Sequence, residues 1–407
     1  LSTSYSFAEI ILPLGISFFT FTQIAFLVDA ASGEAKEFDF IHYSLFVSYF
    51  PHLIAGPILH HKDMMPQFGK ANAYRLNWDY LCIGLTVFAL GLFKKVVLAD
   101  GVVLYTTPVF AAAEQGDVLN LFQAWGGALA YTLQLYFDFS GYSDMAIGLS
   151  YMLGVRLPLN FNSPYKATSI SDFWRRWHMT LSRFLRDYLY VPLGGNRKGR
   201  ARRYLNLMAT MLLGGLWHGV GWTYIIWGGL HGFYLIVHQA WQAARSWLGH
   251  DLTPSCTSRF LGITTTFLAV LVGWVFFRAQ TLEDALSILR AMAGVNGATL
   301  PDAIALHAGG VATWLAKLGV VFTPAGGHDF LMNFVWVAAL LPVVFLAPNT
   351  QQIMQRFQPA LNYCRRQSRP LDVVGTMALG DSDGIRAGTR SVVTDPPERI
   401  SLFPVLN

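Results

Sequence analysis

Two histidines stand where an ionisable side chain is costly to keep. His218 lies in the apolar, glycine-flanked run GGLWHGVGW, and His178 falls on the apolar stripe of a basic segment, SDFWRRWHMTLSRFLRDYLY. A neutral imidazole survives in such surroundings and there remains able to accept a proton near neutral pH, which is what a general base must do. Glycines beside His218 let other groups approach its ring, and Trp217 and Trp222 supply flat walls. Asp138 and Asp144, in YFDFSGYSDMAIGL, are the next candidates, because an aspartate centred in a membrane costs roughly 2.5 to 3.5 kcal/mol. Orienting a histidine or holding a polar substrate would justify that cost. For Asp144 the plainer alternative is that Ser140, Ser143 and Asp144 cap a helix broken at Gly141.

Other chemistries find no footing. No H-E-x-x-H is present and neither His178 nor His218 has a second ligand at helical spacing, so metal binding is not expected. Cys82, Cys256 and Cys364 are odd in number and far apart, which suggests neither a disulfide framework nor a thiolate zinc site. A nucleophile elbow, a Walker loop and a dinucleotide fingerprint are all missing, which removes hydrolase and ATPase readings. His42, His52, His231 and His238 read as satisfied core residues, although His231 shares a helical stripe with Trp227, Tyr234, His238 and Trp241.

The elements that must position these groups are helices in a membrane. The chain is 53% hydrophobic and 13% charged, about half the charge of a soluble domain, with a mean hydropathy of +0.39. Spans of about 20 apolar residues are expected from Glu9 to Val28, Ile41 to Leu59, Tyr80 to Leu98, Leu119 to Phe137 with Tyr142 to Leu153, Tyr204 to Trp217, Trp222 to Trp241, Phe260 to Phe277 and Leu331 to Ala347. Weaker segments lie near Val102 to Ala113 and Ile304 to Phe322. Breaks at GISFF, LIAGPIL and FSGYSD hint at an enclosed cavity. From Asp172 to about Tyr190 the period predicts one amphipathic helix, capped by Ser169 and Asp172 and stopped by Pro192, Gly194 and Gly195, lying at the membrane interface with His178 pointing inward. A second capping box, Thr281 and Asp284, opens another amphipathic helix.

The net charge is +5, and the basic residues gather between Arg175 and Arg203. That favours contact with a lipid surface over nucleic acid, for which no module is present. The loop GGNRKGRARR is expected to face the cytoplasm, with Lys94 and Lys95 as a weaker second marker. Residues 361–407 read as a polar, disordered tail, and 1–360 as one membrane domain.

Taken together, FWRRWHMTLSRFLRDYLYVPLGGN, GLWHGVGWTYIIWGGLHG, YFDFSGYSDMAIGL with NFNSPY, FFRAQTLEDAL, LPLGISFFTFTQIAFLVD and HLIAGPILHHKDMMPQF resemble the membrane-bound O-acyltransferase (MBOAT) superfamily. The likeness runs from about Leu12 to Gln358, in the branch of alginate O-acetylation proteins, with teichoic acid D-alanylation as a more distant cousin. It implies an all-α, polytopic transmembrane bundle with broken helices, an interfacial amphipathic helix and a central tunnel. It makes His218, of the Trp-His-Gly motif, the essential histidine and His178 the second functional position across the tunnel. Asp138, Asp144, Trp217, Arg176 and Ser182 are carried as candidate substrate contacts; Arg186, Asp187 and Asn196 share the motifs without a role. Against the family pattern, spanning helices before Leu12 and a final hydrophobic segment are missing.

The resemblance implies an O-acetyltransferase of the bacterial inner membrane, moving an acetyl group from acetyl-CoA or another acyl thioester toward exopolysaccharide hydroxyls such as those of alginate. Transfer is direct or relayed through a periplasmic acetyltransferase, and membrane lipids are the other partner. The alternative class is a conduit for acyl groups or polysaccharide, or a scaffold for a separate transferase, with no chemistry of its own.

Overall fold

Close approach of two helices at paired glycines is the contact on which the fold is built. The computed structural model describes residues 15–35, 39–70, 75–249, 255–324 and 327–361. The expected start of the first span at Glu9 and the tail beyond Leu361 lie outside them. In chain order, α1 (Ile16–Ala31), α2 (Phe40–Ser48) and α3 (His61–Phe68) precede α4 (Trp78–Phe93), which passes through a π-turn (Lys94–Ala99) into α5 (Asp100–Glu114). Helix α6 (Leu121–Met152) follows, then the short α7 (Ile170–Trp174) and α8 (Met179–Leu185). The hairpin of α9 (Gly199–His218) and α10 (Trp222–Trp247) leads to α11 (Cys256–Arg278) and α12 (Leu282–Met292). A small module holds strands β1 (Ala298–Pro301) and β2 (Val320–Thr323) around α13 (Asp302–Ala308) and α14 (Gly310–Lys317), before α15 (Gly327–Leu346) and α16 (Thr350–Ile353).

Helix α6 is the central post, with α4, α5, α11, α12 and α15 packed around it. Asn120 and Gln123 close a reciprocal capping box at its start, which satisfies two of the amide donors a helix N-terminus leaves open. A Cβ added to Gly141 would stand 2.8 Å from the carbonyl oxygen of Gly91, and one on Gly91 would stand 2.7 Å from that of Gly141. Gly84 and Gly148 repeat the contact two turns away. Small residues let backbones touch, and inside a lipid bilayer such packing is a main source of helix association.

Among the described residues, three stretches are long and apolar enough to cross a bilayer: Trp78–Glu114, Cys256–Arg278 and Gly327–Leu346. Leu85, Leu92, Phe93, Val96 and Leu104 are exposed along the first of them, an apolar outer face suited to acyl chains. Several expectations are corrected here. Ile41 to Leu59 is no span, because α2 has nine residues and the chain then turns through Phe50–His52. Tyr80 to Leu98 and Val102 to Ala113 form one continuous run. The break expected at FSGYSD does not exist, since α6 passes through it for 32 residues. Gly141 is there for contact, not interruption, and the capping alternative for Asp144 falls with it. The segment Ile304 to Phe322 forms two short helices and part of a parallel β1–β2 pair, in register from Ala298 with Val320, so among the described residues the named elements are helical apart from that ribbon.

Candidate functional site

His178 owes its position to a break in the helix that carries it. Ser169 accepts the Asp172 amide and starts α7, as its sequence promised, yet the helix ends after Trp174. At His178 the backbone turns left-handed, φ 42° and ψ 53°, before α8 begins. A non-glycine residue held there costs on the order of 1 to 3 kcal/mol and persists only when its surroundings impose it. The single helix expected from Asp172 to Tyr190 is therefore two short helices and a π-turn, Arg186–Tyr190. Periodicity missed this because the apolar stripe continues on both sides of the break: Trp174, Trp177, Leu181, Phe184 and Leu185 are all buried in the protein's own core.

The break aims the His178 ring, 3% exposed, into a polar knot. Its Nδ1 lies 3.0 Å from Asn160 Oδ1, and the Thr180 hydroxyl donates to the same oxygen at 2.9 Å. Asn160 Nδ2 donates to Ser143 Oγ on α6 at 3.1 Å, and the Asn160 carbonyl accepts the Met179 amide at 2.9 Å. Phe139 sets its ring edge-on to the imidazole, 4.7 Å between centroids. Asn160 and Thr180 are not singled out by the sequence, and Ser143 enters only as a capping candidate. Asn160 stood in the quoted NFNSPY, but nothing local ties it to a histidine eighteen positions on.

His218 ends α9, and Gly219 and Gly221 carry the chain round the corner into α10. Its ring is half-buried between Trp217 at 4.6 Å, Trp227 at 5.2 Å and Phe277 at 5.1 Å. Trp227 and Phe277 are the walls that sequence proximity did not reveal, while Trp222 is 71% exposed and is not one. Among the described residues no hydrogen bond reaches the His218 ring, so its orientation comes from aromatic contact. Aromatic side chains link the two histidines: Phe18 packs on His178 at 6.5 Å and on Trp217 at 6.2 Å, and Trp217 packs on His218.

The aspartates have lysine partners. Asp144, 6% exposed, meets Lys94 Nζ at 2.6 Å and accepts from Thr350 at 2.6 Å. Asp138 meets Lys95 Nζ at 2.6 Å, and Lys95 also meets Asp100 at 2.7 Å. The first pair accounts for the cost of the buried Asp144 within the protein itself, while Lys95, Asp138 and Asp100 form a partly exposed cluster. Arg176 donates to Asp172 at 2.9 Å and braces the loop at Asn162. Ser182 is buried one turn beyond His178, and its hydroxyl has no partner among the described residues. Trp217 stacks on Phe21 at 4.7 Å.

His238 meets Ser171 at 2.9 Å and His42 meets Asp39 at 3.4 Å, in keeping with structural roles. His231 is a core residue of another kind: fully buried, it lies 5.3 Å from Trp174 and 4.9 Å from Trp227, and neither ring nitrogen has a partner among the described residues. His52 is likewise buried without one. A second polar cluster lies beside α8, where Arg183 meets Asp63 at 2.6 Å, His61 meets Asp29 at 3.3 Å and Tyr188 meets His60 at 3.3 Å. Cavities of about 330 Å³ between α5, α15 and the ribbon, and of about 820 Å³ near Tyr80, Tyr151 and Arg156, include neither His178 nor His218 in their walls.

Comparison with known proteins gives this geometry its context. Peptidoglycan O-acetyltransferase of Helicobacter pylori is 48% identical over 317 residues, covering 72% of this chain and 59% of that protein. Probable alginate O-acetylase AlgI of Azotobacter vinelandii is 47% identical over 297 residues, covering 72% of this chain and 56% of the relative. Teichoic acid D-alanyltransferase of Streptococcus thermophilus is 30% identical over 285 residues, with shares of 65% and 68%. The chain thus spans under two thirds of the length of the first two. Residues 3–272 match the family described as MBOAT, membrane-bound O-acyltransferase family, a stretch that holds both histidines and α6 whole; the chain belongs to that family.

Proposed function

We propose that this chain is an O-acetyltransferase of the bacterial inner membrane, working through a passage that joins His178 on the cytoplasmic side to His218 on the outer side. The observation that carries the reading is the His218 imidazole, half-buried, walled by aromatic rings and joined to His178 through Trp217 and Phe18. As the acceptor oxygen attacks the thioester carbonyl, a ring nitrogen of His218 takes the hydroxyl proton; the C–S bond breaks, and the departing thiolate recovers a proton. General base catalysis of this kind contributes about 10² to 10⁴ in rate. The donor is acetyl-CoA or an acyl-carrier thioester, approaching from the side of the basic Gly194–Arg203 segment, which leads into α9 and meets lipid headgroups. Relatives named for peptidoglycan, alginate and teichoic acid share a hydroxyl-bearing cell-surface polymer, and a polysaccharide is the acceptor class taken here. A periplasmic acetyltransferase relaying the acyl group is compatible with the same chemistry.

The test is His218→Ala expressed in place of the native protein. Polymer acetylation should disappear while the protein stays in the membrane at normal abundance; near-normal acetylation sinks the assignment. Purified protein given labelled acetyl donor and a simple hydroxyl acceptor separates an enzyme from a conduit, because a conduit transfers no label. The lysine partners of Asp138 and Asp144 favour the enzyme, since they satisfy the carboxylates a transport path would otherwise employ.

A further inference from the structure

The knot around His178 fixes more than the position of the ring. Asn160 is completely buried, and the atom it turns toward α8 faces three groups: His178 Nδ1 at 3.0 Å, the Thr180 hydroxyl at 2.9 Å and the Thr180 backbone amide at 3.4 Å. A backbone N–H can only donate, so that atom is the amide oxygen and not the nitrogen. The other end of the amide agrees, because Nδ2 has Ser143 Oγ to donate to at 3.1 Å. Thr180 is held in turn, its hydroxyl oxygen accepting the Ile58 amide at 2.9 Å, which points its proton at Asn160. An oxygen opposite Nδ1 requires Nδ1 to carry the hydrogen.

We infer that Asn160 is a positioning residue for His178, holding the Nδ1–H tautomer so that the lone pair this histidine offers sits on Nε2. The inference rests on His178 taking part in acyl transfer. It also sharpens that role. In the neutral state Nε2 has no hydrogen with which to polarise a thioester carbonyl, so His178 presents a lone pair and acts as an acceptor, and any proton it handles passes through Nε2. Orientation of an imidazole through its distal nitrogen is how histidine tautomers are set in general.

The readout is ¹⁵N NMR of histidine-labelled protein in membranes, with the His178 signals assigned by their loss in His178→Gln. The unmodified protein should show the His178 proton on Nδ1; a proton on Nε2 overturns the inference without any change at Asn160. Asn160→Asp, which keeps an acceptor oxygen, should keep the Nδ1 proton and most of the transfer rate. Asn160→Leu should mix the tautomers and lower kcat by between about tenfold and the roughly 10⁴-fold that a wrong tautomer costs a serine protease triad. Loss of transfer in Asn160→Leu with the proton still on Nδ1 reduces Asn160 to a loop anchor and refutes the proposal. His178→Ala separates the two readings. If it transfers normally, His178 has no role; if it is inactive while Asn160→Leu is not, the Asn160 assignment alone fails.

Discussion

Removing one partner of the Asp144–Lys94 pair tests whether the buried aspartate holds the fold or touches substrate. The carboxylate and ammonium are 2.6 Å apart, with side chains 8% and 15% exposed, and the pair joins the π-turn after α4 to α6. In Lys94→Met the Asp144 charge is left with the Thr350 hydroxyl alone, and stripping a buried pair of one member costs about 3 to 5 kcal/mol. Asp144→Leu should cost less, since the lysine stem can carry its ammonium toward water. The double variant replaces charge with volume, a change that is often neutral or stabilising. Measured as folded fraction after heating in detergent, the cycle should return a coupling energy of at least about 3 kcal/mol, the deficit of Lys94→Met largely cancelled in the double. Polymer acetylation should follow the same order, with the double variant close to wild type. A double variant that is stable but inactive would refute the structural account and return Asp144 to the substrate site; simply additive losses would show that the two charges do not depend on each other.

Two further outcomes follow from the packing. Gly141→Val should destabilise the bundle by roughly 1 to 3 kcal/mol, because its new carbon meets the Gly91 carbonyl and the Lys95 amide at 2.8 and 3.1 Å and backbone cannot yield; heat-resistant protein at wild-type levels would count against the glycine contact. Trp227→Leu, which removes the wall 5.2 Å from His218 without touching a hydrogen bond, should leave membrane abundance intact and lower transfer at least about tenfold by loosening the ring; an unchanged rate would mean that Trp217 and Phe277 suffice.

The parts of this fold that were legible in the sequence are those set by neighbours three or four positions apart. Ser169 caps α7, and Thr281 with Asp284 forms a complete capping box on α12. Of the apolar stripe Trp174, Trp177, Leu181, Phe184, Leu185 and Tyr188, read as a face against the bilayer, the first five are buried in the protein and Tyr188 is half-buried. What the sequence hid depends on partners far along the chain. Gly141 carries the signature of a helix breaker, and only its contact with Gly91 shows why α6 runs through it. Asp138 and Asp144 looked costly because their lysines lie 43 and 50 positions away. The break at His178 was invisible for another reason: one left-handed residue shifts the phase of a stripe too little to disturb its count of apolar matches. The two histidines themselves were legible as ionisable groups in apolar company, while Asn160, Trp227 and Phe277 were not.

A common logic joins the two histidines to the elements that hold them. Within an uninterrupted helix a side chain leans back over the preceding turn, and its direction is fixed by the backbone. Both rings escape that rule: His218 is the last residue of α9, and His178 sits between α7 and α8 with a backbone that belongs to neither. The ring at such a position points where its contacts send it. For His218 those contacts are aromatic faces, which restrain tilt and leave the nitrogens unclaimed. For His178 they are the hydrogen bonds of Asn160, which claim Nδ1 and leave Nε2. The strain at φ 42° is maintained from outside, by the Met179 amide on the Asn160 carbonyl and by Ser143 on the unbroken α6. Continuity of α6 and discontinuity at His178 are therefore complementary requirements, since a hinge of this kind keeps one orientation only when it is tied to an element that does not bend.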